Sequence, residues 1–175
     1  MSDWLEFLDY GEHVRNRQRL YEIAAPQVQE LADEINEMAN LLFEEHGIGV
    51  FLLKVNGDQA VNLDTHAGMR VYLHTTALGK SILAHLPDRR VDAVLDQHGL
   101  PQAAEKTVTD RAALATEFAE IRERSYAFDD EERLHGLRCV AISITPTDGD
   151  VLGAISVSGP TSRLGEKRFT EDIPD

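Results

Sequence analysis

The residues best suited to chemistry gather in the segment Tyr126 to Pro160, YAFDDEERLHGLRCVAISITPTDGDVLGAISVSGP. Side chains alternate across a strand, so in Arg138 to Ile144 the residues Cys139, Ala141 and Ser143 share one face, and Val140, Ile142 and Ile144 share the other. The next strand, Val151 to Ser158, sets Ala154, Ser156 and Ser158 against Ile155 and Val157. The aliphatic face needs helices packed on it. The Cys/Ala/Ser face is too small to fill a core, and its hydroxyls need partners. It either walls a site for a small polar ligand or faces water, as half of an antiparallel sheet often does. The acidic turn Asp129-Asp130-Glu131-Glu132 can bind a cation, polarise a water or be simply solvated. Asp129 stands apart, because it precedes the small-residue strand and can accept from a ligand hydroxyl.

A second candidate is His74-Thr-Thr-Ala-Leu-Gly-Lys80, where a strand turns into a helix. Free N–H groups near Ala77 and Leu78 can hold a carboxylate or phosphate. Gly79-Lys80-Ser81 looks like the end of a phosphate-binding P-loop, but His74 stands where that loop needs its first glycine. Nucleotide hydrolysis is excluded on that ground, and Lys80 reads as an exposed or paired helix charge. His135 and Cys139 have ligand-like spacing, yet they supply two ligands where a structural zinc needs four. No metal site and no cofactor is expected.

These groups must be held by a scaffold. Met1 to Ala25 is polar and helix-prone, and Pro26 reads as the first turn of a new helix. Val28, Leu31, Ile35, Met38 and Leu42 follow at helical spacing, with Gly47 as the stop. That stripe faces either the core or a partner helix. Val50 to Val55 is a strand, and Asn56-Gly57 predicts a tight turn that returns Ala60 to Leu63 as its hairpin partner. Met69 to Leu73 is a further strand. Helices are predicted over Thr76 to His85, Asp88 to His98, and from a cap at Asp110 to about Ser125. Helices bunched between two groups of hairpin strands indicate an α+β domain with a mostly antiparallel sheet.

Composition sets the outer bounds. A chain of 175 residues with 42% hydrophobic content can bury a real core. No apolar run approaches the roughly 20 residues of a membrane span, so no membrane partner is expected. One cysteine rules out an intrachain disulfide framework and fits a reducing cytoplasm. Acids outnumber bases 31 to 17, for a net charge of −14, which makes this chain by itself a poor binder of nucleic acid.

The pieces LHTTALGKSILAHLP, YAFDDEERLHGLRCVAISI and GAISVSGPTSRL together resemble the C-terminal effector-binding domain of the IclR family of transcription regulators. The resemblance runs from about Phe7 to the end. It implies a GAF-like fold, with helices packed on an antiparallel sheet and a pocket for a small organic effector, typically a small carboxylate or an aromatic acid. It also implies a homodimer or homotetramer. The family's effector contacts fall on Ala77 and Leu78, on Asp129, Leu137 and Cys139, and on Ser156 and Ser158, with Ala60 and Leu63 as weaker matches. Ala77 and Leu78 are bulkier than the residues often found there, which implies a smaller or differently placed effector. The family's DNA reader is an N-terminal winged helix-turn-helix. Nothing before Trp4 can form one, so residues 1–25 match the linker helix that follows it and residues 26–175 the effector domain, with its final helix cut short. DNA contact is expected only through that missing N-terminal part.

An effector-sensing domain is therefore the leading expectation. A GAF-like thiol-based reductase using Cys139 is the alternative, although the chain has no second cysteine to resolve an intermediate. A ligand-free dimerisation module is the third reading. The acidic surface, with lysine only at positions 54, 80, 106 and 167, reads as salt-adapted, or halophilic. Molar salt shortens the Debye length to about 3 Å and screens the self-repulsion. The melting temperature should rise between dilute buffer and molar salt, and a melt indifferent to salt would contradict that reading.

Overall fold

A computed structural model of the chain describes residues 3–59, 63–146 and 150–174, with side chains described from residue 18 onward. The elements are α1 (Asp3–Ile35), β1 (Met38–Glu45), β2 (Ile48–Asn56), β3 (Arg70–Tyr72), α2 (Ala77–His85), α3 (Asp88–His98), α4 (Arg111–Arg124), β4 (Ala127–Asp130), β5 (Leu137–Ile144) and β6 (Gly153–Pro160). A single 3-10 turn, Leu73–Thr75, leads into α2, and a short wide helical turn, Arg168–Asp172, follows β6. The strands form one sheet in the order β3-β2-β1-β6-β5-β4. Every neighbouring pair is antiparallel. The fold is α+β and GAF-like, as expected from the chain's pattern.

Helices cover both faces. On one side α2, α3 and α4 pack Ile82, Leu83, Val94, Leu114, Phe118 and Ile121 against Leu42, Phe51, Ala141 and Ala154 of the sheet. On the other, α1 lays Leu20, Ala24, Val28 and Ala32 on Leu41, Phe43 and Val50. Those four positions recur every fourth residue, which is the spacing of one helical face. Beside them the C-terminal turn adds Leu164 and Phe169 over Val140. The aliphatic faces of β5 and β6 thus meet α1 and the C-terminal turn, and their small-residue faces meet α2.

The beginning of the chain departs from expectation. Pro26 lies inside α1 rather than opening a new helix. Pro26 and Glu22, whose carbonyl it leaves without an N–H, are both exposed, so water can serve that carbonyl. The helix ends where Asn36 turns left-handed (φ 62) and its N–H reaches the Ala32 carbonyl at 2.9 Å. Met38 and Leu42 therefore belong to a strand. Gly47 does not stop a helix; with His46 it forms the turn between β1 and β2, both at positive φ (51 and 82), as a two-residue hairpin of the I′ type requires.

The hairpin expected after Asn56-Gly57 is also corrected. The antiparallel neighbours of β2 are β1 and β3, and a strand has only two edges to pair. Leu63 lies outside any strand, its carbonyl held by Lys54 Nζ at 2.7 Å. Ala60 lies outside the described residues.

Candidate functional site

Two rows of residues cross the middle of the sheet. Asp129 pairs with Cys139, Cys139 with Ser158, and Ser158 with Met38. One step along, Ala127 pairs with Ala141, Ala141 with Ser156, and Ser156 with Asn40. Residues opposite one another in a ladder project from the same face. Because these side chains are short, space remains between the sheet and the start of α2. The result is a cavity of about 210 Å³.

The start of α2 forms one wall. Thr76 caps it: its Oγ1 accepts from the Gly79 N–H at 2.9 Å and its carbonyl from the Lys80 N–H at 2.9 Å. Those bonds leave the first-turn N–H groups of Ala77 and Leu78 to be satisfied by something else. Gly79 is required here, since a Cβ would stand 2.1 Å from the Leu73 carbonyl oxygen. Behind the wall, His74 Nε2 bonds the Pro101 carbonyl at 3.0 Å. Burial lowers the pKa of His74, so the ring stays neutral and donates that bond.

Lys80 is fully buried and paired, not exposed. Its Nζ lies 2.6 Å from Glu117 Oε1 on α4 and 2.6 and 2.7 Å from the two oxygens of Glu132. The acidic turn is accordingly split. Glu132 is buried. Burial pushes its carboxyl above the usual range while Lys80 pulls it back. Asp130 and Glu131 stay at the surface, paired with Lys106, Arg138 and His135. Those pairs occupy the carboxylates and the His135 ring, and among the described residues no group of three or more metal-ligating side chains is gathered.

Asp129 faces inward at 1% exposure. One oxygen accepts the Glu132 N–H at 2.7 Å. Burial dominates and pushes its pKa up to about 6, against the lowering effect of that bond and of Lys80. Cys139 sits beside it as a free thiol. Burial and the Asp129 charge push the thiol well above its ordinary pKa, the opposite of what activates a nucleophile.

Ser156 and Ser158 do not face water: they are 2% and 4% exposed. Asn40 Nδ2 bridges toward them at 3.4 and 3.3 Å, and its Oδ1 is buried without a hydrogen-bond partner. Leu63, Ala77, Leu78, Asp129, Leu137, Cys139, Ser156 and Ser158, all singled out in the sequence, line this one cavity. The cavity also takes in Asn40, Phe51, Thr76 and Arg133, which sequence reasoning missed. Asn40 was hidden by the helix expected across it. Arg133 carried a legible signal, since it is the cation that directly follows the acidic turn.

Fold and site together define an α+β ligand-pocket domain of GAF-like architecture. The chain belongs to the IclR family of bacterial transcriptional regulators: the family's model, "Bacterial transcriptional regulator IclR C-terminal", matches residues 12–174. It is similar to a probable HTH-type transcriptional regulator ArcR of Halobacterium salinarum, 32% identical over 99% of this chain and 66% of that protein. Among solved structures it resembles the Thermotoga maritima IclR, with a TM-score of 0.84 and 30% identity over 96% of this chain and 69% of that one. It also resembles the C-terminal domain of the E. coli regulator KdgR, with a TM-score of 0.77 and 30% identity over 88% and 89% of the two chains. The chain spans 58 to 66% of the length of the curated relatives it matches.

The Asp129 carboxyl titrates near 3.8 in the unfolded chain and near 6 in the fold. Between those values the folded state holds the extra proton, so stability falls as pH rises. Above about 6 the cost is fully present, roughly 3 kcal/mol. Asp129→Asn should therefore be more stable than the parent to urea at pH 8, with the gain shrinking toward zero at pH 4. A variant that gains nothing at pH 8 would contradict the placement of Asp129.

Proposed function

We propose that this chain is the sensing module of a transcription regulator and that its ligand is a small organic acid bound in the cavity beneath α2. The observation that carries the reading is the convergence of two unsatisfied helix-start N–H groups, a buried carboxyl and two buried serines on one space. Ala77 and Leu78 receive the ligand carboxylate through their N–H groups, where the helix dipole favours negative charge. Asp129 accepts from a ligand hydroxyl, Ser156 and Ser158 supply further polar contacts, and Leu137 and Cys139 complete the wall. Leu63 and Ala60 belong to the segment that closes it. A ligand with different affinity for two arrangements of a homodimer or homotetramer biases DNA readers attached outside this chain. Residues 1–25 serve as the linker helix and residues 26–175 as the sensing domain.

The reductase reading has little to stand on, since Cys139 is buried, its pKa is raised, and the chain has no second cysteine. We assign no catalysis to the chain. Among the described residues no helix is long and apolar enough to cross a membrane, and a cytoplasmic setting suits a regulator that meets its operator.

A thermal-shift screen of small carboxylates and aromatic acids tests the proposal. A ligand at 100 times its dissociation constant should add about 2.7 kcal/mol. Replacing Ser156 and Ser158 with valine should abolish the ligand-induced shift; a double variant with the parent's response would remove the ligand from this face.

A further inference from the structure

The cations around the acidic turn are nearly all spoken for. Lys80 holds Glu117 and Glu132, Lys106 holds Asp130 and Glu131, and Arg138 holds Asp130 and Glu166. Arg133, in the middle of the same turn, makes no ion pair with any described residue, although acids outnumber bases 31 to 17 along the chain. It lies on the cavity wall instead. Its guanidinium carbon stands 5.4 Å from the centre of the Phe51 ring, and its Nη2 is 3.6 Å from Met69 Sδ. These contacts orient the plane and leave most of its N–H donors unused. A half-buried guanidinium loses hydration, and a ring face and a thioether replace little of it.

We infer that Arg133 is the residue that makes this cavity select anions: its guanidinium pairs with an acidic group of the ligand, one that an amide or alcohol of the same shape cannot offer. The inference rests on the sensing role proposed above and adds the determinant of charge selectivity. Lys80 cannot fill the part, because three carboxylate oxygens already surround its ammonium. The N–H groups of Ala77 and Leu78 accept a neutral carbonyl as well as a carboxylate, so the helix start alone discriminates weakly. The planar fork of Arg133 matches a carboxylate and not its amide. The placement also explains why a cation in so acidic a chain is left without a partner of its own.

The test uses matched pairs of probes, pyruvate with pyruvamide, succinate with succinamide, and benzoate with benzamide, read by thermal shift and calorimetry on the parent chain and on Arg133→Met and Arg133→Lys. Methionine suits the surroundings of Phe51 and Met69, so the fold should survive. The parent should bind at least one acid more tightly than its amide. Arg133→Met should weaken that acid by about tenfold or more while leaving the amide unchanged. Arg133→Lys should restore part of the preference. An acid preference that persists in Arg133→Met overturns the inference and leaves the sensing role standing. A parent chain that binds an amide as well as its acid overturns it too. A parent that binds none of the six probes overturns the inference for these acids and also counts against the sensing role, which the serine variants test separately.

Discussion

The structure depends on one buried ion cluster. The ammonium of Lys80 has no exposure, and it joins three elements remote in sequence: its own helix α2, Glu117 on α4, and Glu132 in the turn after β4. Two of those elements are walls of the cavity. The cluster thus sets how the start of α2 stands relative to Asp129 and Arg133. A buried ion pair contributes little net stability against an apolar replacement, but breaking it by removing one partner leaves a buried charge uncompensated. Its value here is positional.

Around that anchor, the site is assembled from groups that folding alone leaves unsatisfied. Asp129 is desolvated, Asn40 Oδ1 is buried without a partner, and Arg133 has no carboxylate. Each costs stability in the empty chain. Such costs collect where a fold is arranged to meet something other than itself. The short side chains of β5 and β6 fit the same account: they give up packing that larger residues would provide and leave room in its place.

Much of the site was legible because it follows local rules. Alternation placed Cys139, Ser156 and Ser158 on one face, and the small size of that face implied space beside it. Thr76 capped α2 as its position suggested, and Asp110 capped α4, accepting from the Ala113 N–H at 2.8 Å. What failed was set by tertiary pairing. The apolar residues from Val28 to Leu42 fit a helical period by coincidence, and the true break, Asn36 in a left-handed conformation, is a weaker signal than glycine. That error moved Asn40 from a strand onto a helix and hid its contact with the serines. Glu132 and Lys80 each look like surface charges in sequence. Only their meeting across 52 positions makes burial affordable. Ala60 and Leu63 were paired with β2 because a turn signal names a reversal but not the strand that occupies the neighbouring edge.

If the Lys80 cluster holds the cavity walls in register, its energetics follow a definite pattern. Urea denaturation of Lys80→Met, Glu132→Gln and the double variant measures it most directly. Lys80→Met should lose on the order of 3–5 kcal/mol, because Glu132 is left buried and unpaired. Adding Glu132→Gln should recover much of that loss, making the two changes strongly non-additive. A Lys80→Met chain as stable as the parent, or a double variant whose loss is the simple sum of the single ones, would contradict the account.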